Sequence, residues 1–131
     1  MIKINVIIKN YTWFKYLKKP DNYLDKKIWK LNSKIKEFKK INFFCSILLS
    51  GDEEIKNLNK KFRKKNKVTD VLSFPFHTKK ELKKKFTKEK EIYLGDIIIN
   101  LNKIKNKNVK KKFQIEFDRL WIHGFVHLFG F

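Results

Sequence analysis

Residues Ile2 to Ile8 (IKINVII) alternate apolar and polar side chains and are rich in β-branching, which predicts a first strand with one buried face. From about Asp21 to Phe38 the period changes. Leu24, Ile28, Leu31, Ile35 and Phe38 recur three or four residues apart, the stripe of an amphipathic helix. The apolar run Ile41 to Leu49 reads as a buried strand. Ser50 and Glu53 have the spacing of a capping box, so a helix is expected to open there with Ile55, Leu58 and Phe62 on one face. TDVLSFPF (Thr69 to Phe76) reads as a strand ended by Pro75, and proline's missing donor places it near a sheet edge. Residues 77 to 90 carry seven lysines and look like an exposed loop or a short solvated helix. LGDIIIN (Leu94 to Asn100) is another strand, and Leu101 to about Lys107 a short helix. A longer helix from about Lys110 to Leu128 sets Phe113, Phe117, Leu120 and Gly124 along one stripe. The order β-α-β-α-β-β-α-α predicts a single compact α+β domain, a mixed β-sheet packed against helices.

Composition narrows the class. At 131 residues with 42% hydrophobic content and 13 Phe, the chain can bury a core, and disorder is excluded. Neither a repeat nor a Gly/Ser/Pro linker divides it. The lone Cys45 rules out an intramolecular disulfide and a CxxC knuckle; within INFFCSILLS it reads as a small buried hydrophobe rather than a nucleophile. No run approaches the roughly 18 apolar residues of a membrane span, and no cleavage site follows MIKINVIIKN, so a soluble cytoplasmic protein without a membrane partner is expected.

The net charge of +20 suggests a polyanionic partner. Yet only Arg63 and Arg119 are arginines, alanine is absent, and Lys, Asn, Ile and Phe dominate, as an A/T-rich coding sequence would write. The charge therefore favours nucleic acid only modestly. A retained arginine is more informative, because its planar fork grips phosphate at two points as lysine cannot. Arg63 fits that role or a structural ion pair. Arg119, beside Asp118 and near Glu116, has a structural explanation.

The last nine residues, HGFVHLFGF, put His123 and His127 at i, i+4, which stacks both imidazoles on one helix face. Zinc is the natural ion for such a pair, and Gly130 could turn a later residue toward it; chance packing on an apolar helix explains the spacing equally well. The zinc-protease reading fails on chemistry, since the position of its glutamate base is occupied by Gly124. His77, in FPFHT, reads as a solvated loop residue. Asp70 and Asp96 sit in apolar strands, where each could shape a site, though capping a turn is the favoured role.

Four motifs in order resemble the YbeY family of rRNA maturation factors: LNKKFR (Leu58 to Arg63), TDVLSFPF, LGDIIIN and HGFVHLFGF. The family pattern runs N-x-x-[YF]-R, T-[DN]-VLSFP, LGD-[IL]-x-I and HGxLHLxGYDH, and the likeness extends from about residue 40 onward. The resemblance implies a metal-dependent endoribonuclease for single-stranded RNA, acting in 16S rRNA 3′-end maturation and ribosome quality control. Its partners would be 16S rRNA and the ribosome or its small subunit, with no DNA expected. It also implies one zinc ion on the C-terminal helix, held by His123 and His127, and a catalytic role for Arg63 at the RNA backbone. Phe131 stands where the family has Tyr; the third histidine and a C-terminal helix would lie beyond it. A YbeY-like domain over residues 1–131, cut short at its C-terminal end by a shifted frame or by decay, is thus expected. The alternative is a non-catalytic RNA- or ribosome-binding remnant that lacks the third ligand.

Overall fold

A computed structural model describes residues 1–34 and 40–131. Strand β1 (Ile2–Ile8) leads through a 3-10 turn (Tyr11–Lys15) into helix α1 (Pro20–Lys34) and strand β2 (Asn42–Ser50). Helix α2 (Asp52–Arg63), strand β3 (Val71–Pro75), helix α3 (Lys79–Lys88) and strand β4 (Glu91–Asn100) follow, and a second 3-10 turn (Leu101–Lys103) precedes helix α4 (Lys110–Leu128). The sheet order is β1-β2-β4-β3, with β1, β2 and β4 parallel and β3 antiparallel to β4 at the edge. This is the expected α+β domain with a mixed sheet, and Pro75 does lie on an edge strand.

The two interior strands explain their apolar runs. Ile47, Leu49, Ile97 and Ile99 point into the main core with Leu24 and Ile28 of α1 and Phe113, Phe117 and Leu120 of α4. On the opposite face Leu72 and Ile98 pack under Ile55 of α2. Strands covered on both faces need hydrophobes at successive positions rather than alternation.

Several local expectations change in the folded chain. Ser50 is not a helix cap: it closes β2, and its hydroxyl donates to the Ile99 carbonyl at 3.2 Å. Helix α2 instead starts from Gly51 without a side-chain cap, and Asp52, Glu53 and Glu54 complement its dipole. A capping box does form, at Thr78 and Glu81, and it makes a helix of the lysine-rich stretch with Leu82 buried. The expected helix after Leu101 shrinks to three residues, because the buried Asn100 side chain accepts from the Asn102 N–H and sets a tight turn. Phe62 is 60% exposed, so the face begun by Ile55 leaves the core at its far end. Ile35 and Phe38, expected on the first helix, lie outside the described residues.

Strand β4 carries an irregularity beside the future site. Its register against β2 shifts between Phe44 and Cys45, and Gly95 there has φ of +143°. A Cβ at Gly95 would lie 2.2 Å from the Phe74 carbonyl oxygen of the neighbouring strand. The two strands approach because nothing stands between them. Gly95→Ala is expected to lower unfolding free energy by at least about 2 kcal/mol through strain and clash, measured as a shift of the urea midpoint at unchanged slope.

A candidate metal centre at the edge of the sheet

Helix α4 lies over the sheet with Phe113, Phe117, Leu120, Trp121, Gly124, Phe125 and Leu128 buried, the predicted stripe extended by its neighbours. His123 and His127 fall on the exposed side of that helix. Their Nε2 atoms face each other at 3.1 Å, and the rings meet edge to face with centroids 4.5 Å apart. Two nitrogens bound to a tetrahedral zinc at about 2.0–2.1 Å lie roughly 3.3–3.4 Å apart. The pair therefore fits two corners of a zinc tetrahedron after an opening of a few tenths of an ångström. Among the described residues no group of three His, Cys, Asp or Glu converges on one point.

Gly124 decides how close this helix face comes to the sheet. A Cβ there would lie 2.7 Å from Ile97 Cγ2 and 3.1 Å from the Ser73 hydroxyl oxygen. The Ser73 hydroxyl donates to the Gly124 carbonyl at 3.1 Å, fastening β3 to the turn that carries His123. So the residue that rules out a protease base has a positive reason to be glycine.

Arg63 reaches the same strand from the other face. Its Nη2 donates to the Ser73 carbonyl at 2.7 Å, and its guanidinium carbon lies 5.4 Å from the Phe74 ring centroid. The ladder contacts Asn100 N–H to Asp70 carbonyl and Phe76 N–H to Leu94 carbonyl put the even-numbered residues of β3 in register with β4. The Ser73 carbonyl consequently points to the free edge, where Arg63 takes it. One residue of β3 thus touches both halves of the candidate site, its hydroxyl bound to α4 and its carbonyl to Arg63. Arg63 itself is exposed, with donors left over for a ligand.

Asn59 helps to set Arg63. Buried one turn before it, its amide donates to the Lys67 carbonyl at 3.1 Å and folds the chain back after α2. Asn59 and Ser73 were not given a role in the sequence, although both stand in the quoted motifs, Asn59 in LNKKFR and Ser73 in TDVLSFPF.

The other candidates have separate tasks. His77 Nδ1 lies 3.8 Å from Glu81 at the start of α3. Asp96 does not cap a turn; it sits within β4 and accepts from the Tyr93 phenol at 2.6 Å, and burial together with that carboxylate pushes the phenol up to about 12. Asp70, just ahead of β3, accepts from Thr69 at 3.4 Å and lies 3.6 Å from Arg119. Arg119 grips Glu116 through Nε at 3.1 Å and Nη2 at 2.6 Å, and that bond holds the Glu116 carboxyl below its usual range. Asp118 instead serves Lys27, Tyr23 and Trp121. Gly130 follows the helix with φ of +91°, but the next residue, Phe131, meets Lys79, whose Nζ is 4.4 Å from the ring centroid.

Cys45 is buried in β2, and burial, with Asp96 adding to it, pushes its thiol up to about 12 from the ordinary 9.0. The folded chain thus holds the thiol proton where the unfolded chain releases it, so this group's contribution to stability is complete below about pH 9 and lost as pH rises from there toward 12. Alkylation by iodoacetamide at pH 8 is expected to be slow in the native protein and rapid in denaturant, read by mass spectrometry. For Gly124→Ala, an overpacking cost of about 1–3 kcal/mol should outweigh a helix gain of roughly 0.5–1 kcal/mol, giving a net loss in thermal denaturation.

Comparison with known proteins bears on this geometry. The family described as Endoribonuclease YbeY matches residues 8–131. The chain is 44% identical over 135 residues to the endoribonuclease YbeY of Pelagibacter ubique, covering 99% of this chain and 82% of that protein. It is 34% identical over 137 residues to the Ehrlichia canis endoribonuclease YbeY, covering 100% of this chain and 79% of the relative. A solution structure of a Thermotoga maritima protein superposes with a TM-score of 0.56 at 26% identity, over 100% of this chain and 73% of that one.

Proposed function

The chain belongs to the YbeY endoribonuclease family, and from that premise we propose that it hydrolyses single-stranded RNA at the β3 edge with one zinc ion. In this reading it acts in the cytoplasm, on the ribosome or its small subunit, in 16S rRNA 3′-end maturation and ribosome quality control. The observation that carries the proposal is the 3.1 Å convergence of His123 and His127 on a helix turn fastened through Ser73 to the strand that holds Arg63.

Each residue has a stated task. His123 and His127, whose Nε2 atoms face each other at 3.1 Å, would hold the ion. Zinc, when bound, polarises a phosphoryl oxygen and makes a water acidic enough to attack near neutral pH. Arg63 would meet the phosphate with the donors that Ser73 leaves free, steadying charge that develops on the non-bridging oxygens. The Ser73 carbonyl and the Phe74 ring fix the guanidinium plane beforehand, so little ordering is left for the moment of reaction. Backbone contacts by lysine would add attraction that ignores sequence and weakens with salt. No helix among the described residues is long and apolar enough to cross a membrane.

A second reading, RNA binding without hydrolysis, is favoured by the lack of a third converging ligand among the described residues, because catalytic zinc ordinarily has three protein ligands. Zinc content separates the two. Under the hydrolytic reading the purified protein retains about one zinc per chain, and His123→Ala or His127→Ala removes it. Arg63→Ala keeps the metal and slows cleavage of single-stranded RNA by roughly 10²–10³-fold. Intact RNA after incubation with zinc-loaded protein, or cleavage by Arg63→Ala at the wild-type rate, would refute hydrolysis by this site. Tight RNA binding without stoichiometric zinc would establish the second reading.

A further inference from the structure

A cleft of about 830 Å³ opens between the first 3-10 turn, α1 and the first turns of α4. It lies at the other end of α4 from the histidines: Lys110 and His123 are separated by about 20 Å along the helix axis. Lys15, Lys18, Lys19, Lys26, Lys107 and Lys110 border it, and no Asp or Glu is among its lining residues. The floor is rigid and apolar, with Tyr16 stacked on the buried Phe113 at 5.4 Å between centroids. Asn22, Asn108 and Gln114 contribute neutral donors around the wall. Lys107 is tethered at the rim, its ammonium donating to the Leu101 carbonyl at 3.4 Å.

Composition alone spreads lysine everywhere, so the arrangement matters more than the number. Helix α3 is as lysine-rich, and most of its lysines are exposed, as are Lys15, Lys18, Lys19, Lys26 and Lys110, but the α3 lysines stand around a helix that also carries Glu81. Water and salt screen them well. In the cleft the cations share a concavity over an apolar floor, which concentrates their potential. Of the nearby carboxylates, Asp118 is already engaged by Lys27 at 3.2 Å, Tyr23 at 2.9 Å and Trp121 at 3.0 Å, and Asp21 adjoins Lys18 and Lys19 in a neighbouring cavity, not among the residues that line the cleft. A strand of linked phosphates supplies the missing counter-charges in a row, and lysine ammonium groups bind such a backbone without regard to base identity.

We propose that this cleft is a second RNA contact, which takes the phosphodiester backbone of single-stranded substrate about 20 Å along α4 from the histidine pair. It rests on the RNA reading above. A strand held there and at Arg63 is gripped on one side of the bond to be cut, so affinity grows with RNA length beyond what the histidine end alone can reach.

The test uses fluorescence anisotropy with labelled unstructured oligoribonucleotides of about 4 and about 16 nucleotides. The full chain carrying Lys18→Glu, Lys26→Glu and Lys110→Glu is compared with one carrying Lys80→Glu, Lys83→Glu and Lys84→Glu on α3, which changes net charge equally. The cleft variant is expected to bind the long RNA at least tenfold more weakly, with a log K against log salt slope shallower by about 2, and to bind the short RNA like wild type. The α3 variant should lose less than threefold on the long RNA. Equal losses in the two variants, or no loss in the cleft variant, would overturn the proposal, since either result reduces the cleft to part of a general field. Circular dichroism melts confirm that all variants are folded. Failure of the histidine-end reading shows separately, as short-RNA binding that is indifferent to Arg63→Ala.

Discussion

Helix α4 can lie against β3 and β4 only because residue 124 has no side chain. With Ile97 Cγ2 at 2.7 Å and the Ser73 hydroxyl oxygen at 3.1 Å from where a Cβ would stand, any larger residue forces the Ile97 and Ser73 side chains, or the helix itself, to shift. Much follows from that approach. It brings the Ser73 hydroxyl within reach of the Gly124 carbonyl, and it sets the buried stripe from Phe113 to Leu128 onto the sheet. It also leaves His123 and His127 on the outer, exposed side of the same turns. Gly95 permits the matching approach of β4 to β3 beneath Leu128.

The edge strand is the hinge of the candidate site. Exposed strand edges carry unpaired backbone groups that invite unwanted pairing. Here one such carbonyl, at Ser73, is used to anchor Arg63, and Pro75 ends the strand soon afterwards. Arg63 comes from α2 on one face of the sheet and the histidines from α4 on the other. Both elements are tied to β3, the edge strand of the sheet among the described residues, Arg63 through the Ser73 carbonyl and α4 through the Ser73 hydroxyl. Buried polar side chains hold this corner together. Asn100 donates to Asp52 at 2.7 Å and to the Thr69 carbonyl at 3.1 Å, joining the start of α2 to the approach of β3, while Asn59 closes the far end of α2.

Charge follows a different logic from the core. Most of the +20 is exposed lysine, which would serve any polyanion weakly. What distinguishes one lysine from another is the shape of the surface beneath it and the whereabouts of the nearest carboxylate. By that measure the cleft beside α1 differs from the convex surface of α3, and Arg63, stacked on Phe74, differs from both.

The missing donor of Pro75 put β3 near a sheet edge, and hydrophobic period determined the strands and the long final helix, since those depend on which side chains must leave water. It also placed His123 and His127 on one helix face, and the four ordered motifs carried the family. Local signals were weaker guides to helix ends. The Ser50 and Glu53 spacing had the form of a capping box, yet the Ser50 hydroxyl is taken by the Ile99 carbonyl, and the working box lies at Thr78 and Glu81. The roles of Ser73 and Asn59 show only in their partners, 51 and 8 residues away. That Ser73 should be held by Arg63 of α2 through its carbonyl and by α4 through its hydroxyl was decided by tertiary structure alone, because it depends on how closely a helix can approach a strand, and that distance is written in the packing of residues far apart in the chain.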